Sequence, residues 1–201
     1  MRRKIPEKAI GYYNLGVIYK AKGFPDRAVE QYMIALQKDP EHLNAHLNLG
    51  IILHSKGHID KAISEFKAII KVNPAFSKAY YNLGLAYFSR GQFDQAIEQF
   101  RNAIKQYPSY SQAYNNMGSA YKAKGNIDEA IKHYRSSIEF NPDSANAHNN
   151  LGSVYIDKGL FDKAIAEYKI ALKLDPSHKK ATENLRMAAA LKEYLKRQNI
   201  Q

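Results

Sequence analysis

The amino-acid sequence predicts an all-α protein, a solenoid of helix-turn-helix units ending in a cap helix. Three observations carry that prediction. Asn14-Leu15-Gly16 returns as Asn48-Leu49-Gly50, Asn82-Leu83-Gly84, Asn116-Met117-Gly118 and Asn150-Leu151-Gly152, each 34 residues after the last, and self-similarity at a fixed period of this size is the signature of stacked repeats. A second glycine follows each triplet, at Gly23, Gly57, Gly91, Gly125 and Gly159, and a proline closes each unit, at Pro40, Pro74, Pro108, Pro142 and Pro176. Between these positions the apolar residues recur at helical spacing. Five units, 9–42, 43–76, 77–110, 111–144 and 145–178, tile the chain without insertion, so 1–201 reads as a single repeat domain.

The third unit shows how each element arises. Ala79, Tyr80, Leu83 and Tyr87 make the apolar stripe of a first helix, which ends near Gly91 because glycine takes the left-handed C-cap conformation at no steric cost. Asp94 is placed to cap the second helix by accepting backbone N–H bonds, as are Asp26, Asp60, Asp128 and Asp162 in the other units. Ala96, Ile97, Phe100, Ala103 and Ile104 form that helix's apolar face, and Pro108 stops it close to Tyr107. Gly84 and Ala96 read as the small pair at which the two helices touch. Residues 179–201 begin like a sixth unit, with Ala181, Asn184 and Leu185, but carry Arg186 in place of glycine and lack the turn glycine and the proline. This predicts the solvated cap helix that the last face of a repeat stack requires. No matching cap precedes residue 9, so the N-terminal face is expected to be a contact surface, open to a second copy of the chain, or the cut edge of a longer protein.

The pattern Tyr80, Leu83-Gly84, Tyr87, Gly91, Ala96, Phe100, Ala103, Pro108 resembles the tetratricopeptide repeat and recurs in phase five times. The resemblance implies antiparallel helix pairs in a right-handed superhelix, whose concave groove, lined by the first helices, binds peptides. The fold does not by itself name a partner.

One phase of the first helix carries Asn14, Asn48, Asn82, Asn116, Asn150 and Asn184. A carboxamide both donates and accepts hydrogen bonds, which suits it to peptide main chain. The series is similar to the asparagine ladder of the tetratricopeptide region of O-linked N-acetylglucosamine transferase, which holds extended peptide. The alternative is that these amides bond helix ends or neighbouring repeats. Beside them, the first three units offer Tyr13, Val17, Leu47, Ile51, Tyr81, Leu85 and Phe88, and the last two offer Asn115, Ser119, Asn149 and Ser153. An apolar row of this kind marks an interaction site, unless Val17, Ile51 and Leu85 are spent on packing. Family members that clamp a C-terminal carboxylate do so with a lysine, two asparagines, a lysine and an arginine, and at those phases this chain has Tyr13, Val17, Asn48, Lys78 and Asn82, so most of the basic clamp is missing.

The chain has no cysteine, which removes disulfides, thiolate metal sites and cysteine nucleophiles. His42/His46 and His54/His58 have a four-residue spacing but no acidic residue completing a metal motif, and His46 and His148 occupy the phase of Tyr80 and Tyr114, where core packing explains them. No catalytic residue, metal or cofactor is expected. The formal charge of +11 would suit nucleic acid. Yet Lys22, Lys56, Arg90, Lys124 and Lys158 each precede a turn glycine, where a cation complements the helix dipole, and most tyrosines fall at core phases rather than on a stacking platform. Specific nucleic-acid binding is therefore not expected. There is no membrane-length apolar run and no signal peptide after Met1-Arg2-Arg3-Lys4, which makes the cytoplasm the default location. The expectation is a non-enzymatic scaffold for a protein or peptide ligand. Alternatives are a self-assembling array, the recognition region of a larger enzyme such as a glycosyltransferase, or a designed array without a natural partner.

Overall fold

The computed structural model describes residues 7–198, and the regular elements among them are all α-helices. The order is α1 (Glu7–Ala21), α2 (Pro25–Lys38), α3 (Leu43–Ser55), α4 (Ile59–Val72), α5 (Ser77–Ser89), α6 (Phe93–Gln106), α7 (Ser111–Ala123), α8 (Ile127–Phe140), α9 (Ala145–Asp157), α10 (Phe161–Leu174) and α11 (Lys179–Gln198). The basic start Arg2-Arg3-Lys4 and the last three residues of the expected cap lie outside the described residues.

The helices fall into two compact units that divide between Gln106 and Tyr107. In the first unit α1 packs on α2, α3 on α4 and α5 on α6, and each second helix also meets the next first helix, α2 on α3 and α4 on α5. In the second unit the pairs are α7 with α8 and α9 with α10, joined by α8 on α9 and closed by α10 on α11. The helix-pair repeat and its closing helix are thus both present, with Ala181 and Ala188 of α11 buried.

Local chemistry sets the ends of each helix. At the end of α5, Gly91 has φ 73°, its N–H donates to the Phe88 carbonyl at 2.9 Å, and the Gln92 N–H donates to the Tyr87 carbonyl at 3.0 Å. This is the paired bonding of a Schellman stop, which a Cβ would strain. At the other turn Asp39 is extended, φ −142° and ψ 91°, because Pro40 disfavours helix before it.

The carboxylates expected to cap the second helices do something else. The caps are Phe24, His58, Asn126 and Leu160, none with a side-chain cap bond. Asp26, Asp60, Asp94, Asp128 and Asp162 stand inside the first turn, still favourably placed for the dipole. Asp26, Asp60, Asp128 and Asp162 pair instead with a cation of the next unit: Lys56, Arg90 (2.5 Å), Lys158 (2.5 Å) and Lys192. Lys56, Arg90 and Lys158 are C-cap residues of first helices, so the dipole reading of these cations stands and a cross-repeat pair is added to it.

A Cβ on Gly84 would lie 2.6 Å from the Phe100 ring, and one on Gly118 would meet the Tyr134 ring at 2.9 Å and the Ala130 carbonyl at 3.2 Å, so the small residue makes room for the aromatic beside the alanine. On α1, Tyr12 and Leu15 are 36% and 37% exposed, whereas Leu49, Leu83, Met117 and Leu151, the counterparts of Leu15, are buried. Leu49, Leu83 and Leu151 lie on helices that pack against the second helix of the unit before, α2 on α3, α4 on α5 and α8 on α9, and no described element packs on α1 in that way.

Candidate functional site

In the second unit the asparagine phase becomes a hydrogen-bonded chain of amides. Asn150 Nδ2 donates to Asn115 Oδ1 and Asn184 Nδ2 donates to Asn149 Oδ1, both at 3.0 Å, and each bond crosses from one repeat to the one before. Longer contacts within a helix join these pairs, from Asn149 to Asn150 at 3.5 Å and from Asn115 to Asn116 at 3.4 Å. Asn149 is buried and the others are half-buried. Each bridging amide uses one of its two N–H groups and one acceptor site, leaving the other of each for further bonding.

The first unit brings its asparagines together less. Asn48 touches Tyr13 Oη and Lys20 Nζ, each at the long distance of 3.5 Å. Asn82 turns back to its own helix and donates to the Lys78 carbonyl at 2.7 Å. Asn14 is exposed. The expected apolar contacts are half-buried and lean on their own repeats: Tyr13 packs against Tyr32 and His42 with ring centroids 5.9 and 4.7 Å away, Tyr81 lies 6.0 Å from Phe100, and Phe88 lies 5.4 Å from Phe93. Leu47 is half-buried on α3.

The residue after the asparagine triplet matches the aromatic beneath it. Ser119 Oγ is 3.1 Å from Tyr134 Oη, and Ser153 bonds the Tyr168 hydroxyl, whereas Ile51 and Leu85 stand in the units whose buried aromatic is Phe66 or Phe100. Ile51 and Leu85 are half-buried. The first repeat breaks the match: Val17 goes with Tyr32, and the Tyr32 hydroxyl is buried with no hydrogen-bond partner among the described residues. Burial, with Tyr13 adding, pushes the Tyr32 pKa up to about 12, and burial with Asp157 does the same for Tyr168.

The sequence reading missed a polar cluster beside the amide chain. Lys122 Nζ donates to Ser153 Oγ at 2.5 Å and sits 3.3 Å from the Asp157 carboxylate. The available signal was Asp157 itself, the acidic residue at a phase that elsewhere holds Ala21, Ser55, Ser89 and Ala123.

The histidines are not plain core fillers. His46 Nδ1 lies 2.5 Å from Glu65 and its Nε2 lies 2.9 Å from the Pro40 carbonyl; His148 repeats this with Glu167 at 2.7 Å and Pro142 at 3.0 Å. Burial opposes charge on His46, but the Glu65 and Pro40 bonds outweigh it and its pKa is raised. His42 caps α3 by accepting from the Ala45 N–H, and burial lowers its pKa despite Asp39. His54 bonds Ser89 Oγ at 2.9 Å.

Helix pairs in series, with an amide-lined face and a closing helix, define an all-α protein of the helical-repeat class. Tetratricopeptide repeat models match residues 13–71, 65–98, 84–125, 118–159 and 145–178, and the chain belongs to the tetratricopeptide repeat family. It is similar to the crystal structure of MamA, at 31% identity over 82% of this chain and 96% of that one, with a TM-score of 0.72. The fold is shared with TTC0263, a thermophilic TPR protein of Thermus thermophilus (22% identity, 90% and 99% coverage, TM-score 0.73). It is shared also with YrrB, described as a TPR protein with an unusual peptide-binding site (23%, 87% and 90%, 0.68). No curated protein matches the sequence. The tetratricopeptide fold is consistent with protein–protein interaction, and no described helix is long and apolar enough to cross a membrane.

Proposed function

We propose that the chain is a non-enzymatic cytoplasmic scaffold that holds an extended peptide segment of a partner protein against its first helices. The observation that carries this reading is the run of amides Asn116, Asn115, Asn150, Asn149 and Asn184, linked head to tail. Their mutual bonds fix the orientation of each carboxamide while leaving a donor and an acceptor on Asn115, Asn150 and Asn149 for main-chain groups, so less freedom is lost on binding. Asn14, Asn48 and Asn82 extend the same phase in the first unit, where Tyr13, Leu47, Tyr81 and Phe88 supply apolar contacts for ligand side chains. Micromolar affinity, about −8 kcal/mol, is expected for such a segment. The test is selection of peptides on the wild-type chain from a random display library, followed by titration of Asn82→Ala/Asn116→Ala. Affinity should fall about tenfold or more with the helical content unchanged; equal affinity would overturn the reading.

A second reading has one observation behind it. Ile10, Leu15, Val17 and Ile18 of α1 are 37–49% exposed on a single helix, which suits self-association through this face. Sedimentation equilibrium should then show mass rising with concentration, and a monomer throughout the range excludes it.

A further inference from the structure

We propose a second binding site, on the second-helix side of the first unit, which receives an aromatic side chain carried on an acidic segment of a partner protein. The site is an open cleft of about 710 Å³ between α2, α3 and α4, walled by Val29, Met33, Leu36, Leu49 and Leu53. A volume of this order is that of a small-ligand or side-chain pocket.

The repeat itself explains why the cleft exists at this interface. Residue 53 is the phase of Tyr19, Tyr87, Tyr121 and Tyr155, and residue 33 is the phase of Lys67, Arg101, Arg135 and Lys169. In the second unit the two phases meet: Arg135 donates to Tyr155 Oη at 2.8 Å, and its guanidinium carbon lies 6.0 Å from the Tyr155 ring centroid. At the cleft both partners are replaced, the tyrosine by Leu53 and the cation by Met33, which is 52% exposed. The space that a tyrosine ring and its cation occupy at Tyr155 is therefore an apolar hollow here, with a flexible methionine at its lip. Such side chains adapt to an inserted aromatic group.

Charge selects the flanking residues of the ligand. Around the rim Lys56 is paired with Asp26 and His46 with Glu65. Lys61 remains, with no ion pair among the described residues, so the uncompensated charge beside the apolar wall is positive. The whole chain carries +11, which favours encounter with acidic segments.

The test uses the full chain and fluorescein-labelled peptides with a central phenylalanine between glutamates, read by anisotropy at low salt. Controls replace the phenylalanine with alanine or the glutamates with lysines. The phenylalanine peptide should bind about tenfold tighter than its alanine control, and Met33→Arg/Leu53→Tyr, which installs the Arg135–Tyr155 pair in the cleft, should abolish that difference. Lys61→Glu, which leaves the wall intact, should weaken the glutamate peptide and strengthen the lysine one, and it decides the matter if the double variant fails to fold. Asn82→Ala/Asn116→Ala should leave this binding unchanged, which separates the site from the first-helix face. Equal binding of the phenylalanine and alanine peptides, equal binding by wild type and the filled variant, indifference to Lys61→Glu, or loss in the asparagine variant would each overturn the proposal.

Discussion

The two compact units use one backbone plan and opposite side-chain chemistry on their first helices. In the first unit the position beside the asparagine triplet is Val17, Ile51 or Leu85, two of them with a phenylalanine beneath; in the second it is Ser119 or Ser153, with a tyrosine whose hydroxyl it satisfies. The neighbouring phase is Tyr13, Leu47 and Tyr81 in one unit and Asn115 and Asn149 in the other, and only the latter close an amide chain between repeats. Partners at these positions change together, because a buried hydroxyl or amide without a partner costs more than an apolar group of the same shape. Tyr32 with Val17 is the exception, and it lies in the repeat whose first helix is least covered.

The largest expected difference lies in the asparagines. Asn150→Leu strips a partner from Asn115 and from Asn149 and should destabilise the second unit by about 1–3 kcal/mol. Asn82→Leu removes only a bond to its own helix and should change stability by less than about 0.5 kcal/mol, as for a side chain outside any network. Denaturant titration of both variants checks this, and equal losses would mean that the amide chain does not stabilise the repeat stack.

A smaller contrast comes from the tyrosines. Tyr134→Phe should cost about 1 kcal/mol by removing the Ser119 bond, whereas Tyr32→Phe should be neutral or slightly stabilising because its hydroxyl is unmatched. Val17→Ser should lower the cost of burying that hydroxyl. If Tyr32→Phe proves as costly as Tyr134→Phe, the matching of hydroxyl to serine has no energetic content.

The next effect depends on pH. His46 has a raised pKa against the ordinary 6.5, so its bond to Glu65 gives full stability below that ordinary value and loses it as pH rises through the folded-state value. Amide exchange in α4, which carries Glu65, should therefore become more protected on going from about pH 8 to about pH 6, after correction for intrinsic rates, whereas the α3 cap at His42, whose pKa is lowered, responds in the opposite sense. His46→Tyr, which installs the residue of the third repeat, should flatten the dependence. A wild-type profile as flat as the variant's would remove the ion pair from the account.

The smallest effect belongs to the charge ladder. Asp60→Asn should cost less than about 0.5 kcal/mol, since the Asp60 carboxylate is 84% exposed and its pair with Arg90 is screened by water. A loss comparable to Asn150→Leu would mean that these pairs act as a cooperative network.

Much of the molecule was legible in the chain. The turn glycines, the prolines and the apolar stripes fixed helix limits to within a residue or two, because backbone conformation there depends on the residue itself. The candidate asparagines were legible as a phase, and Asn115 and Asn149 stood beside them. Who bonds whom was not legible. Asp26 read as a cap and is a partner of Lys56; His46 read as a core ring and is a brace between Pro40 and Glu65. One signal was there to use: His46 and His148 go with Glu65 and Glu167, while Tyr80 and Tyr114 go with Gln99 and His133.

The sequence by itself determined the period, the helix pairs, the turns and the closing helix, since these follow from local backbone preference and the spacing of apolar residues. Only the tertiary structure decided which side chains thirty or so residues apart share a bond, and that Met33 and Leu53 together leave a cleft. The reason is geometric. A repeat fixes the face on which a residue lies, but the offset between packed helices fixes which atoms on neighbouring faces come within hydrogen-bonding reach.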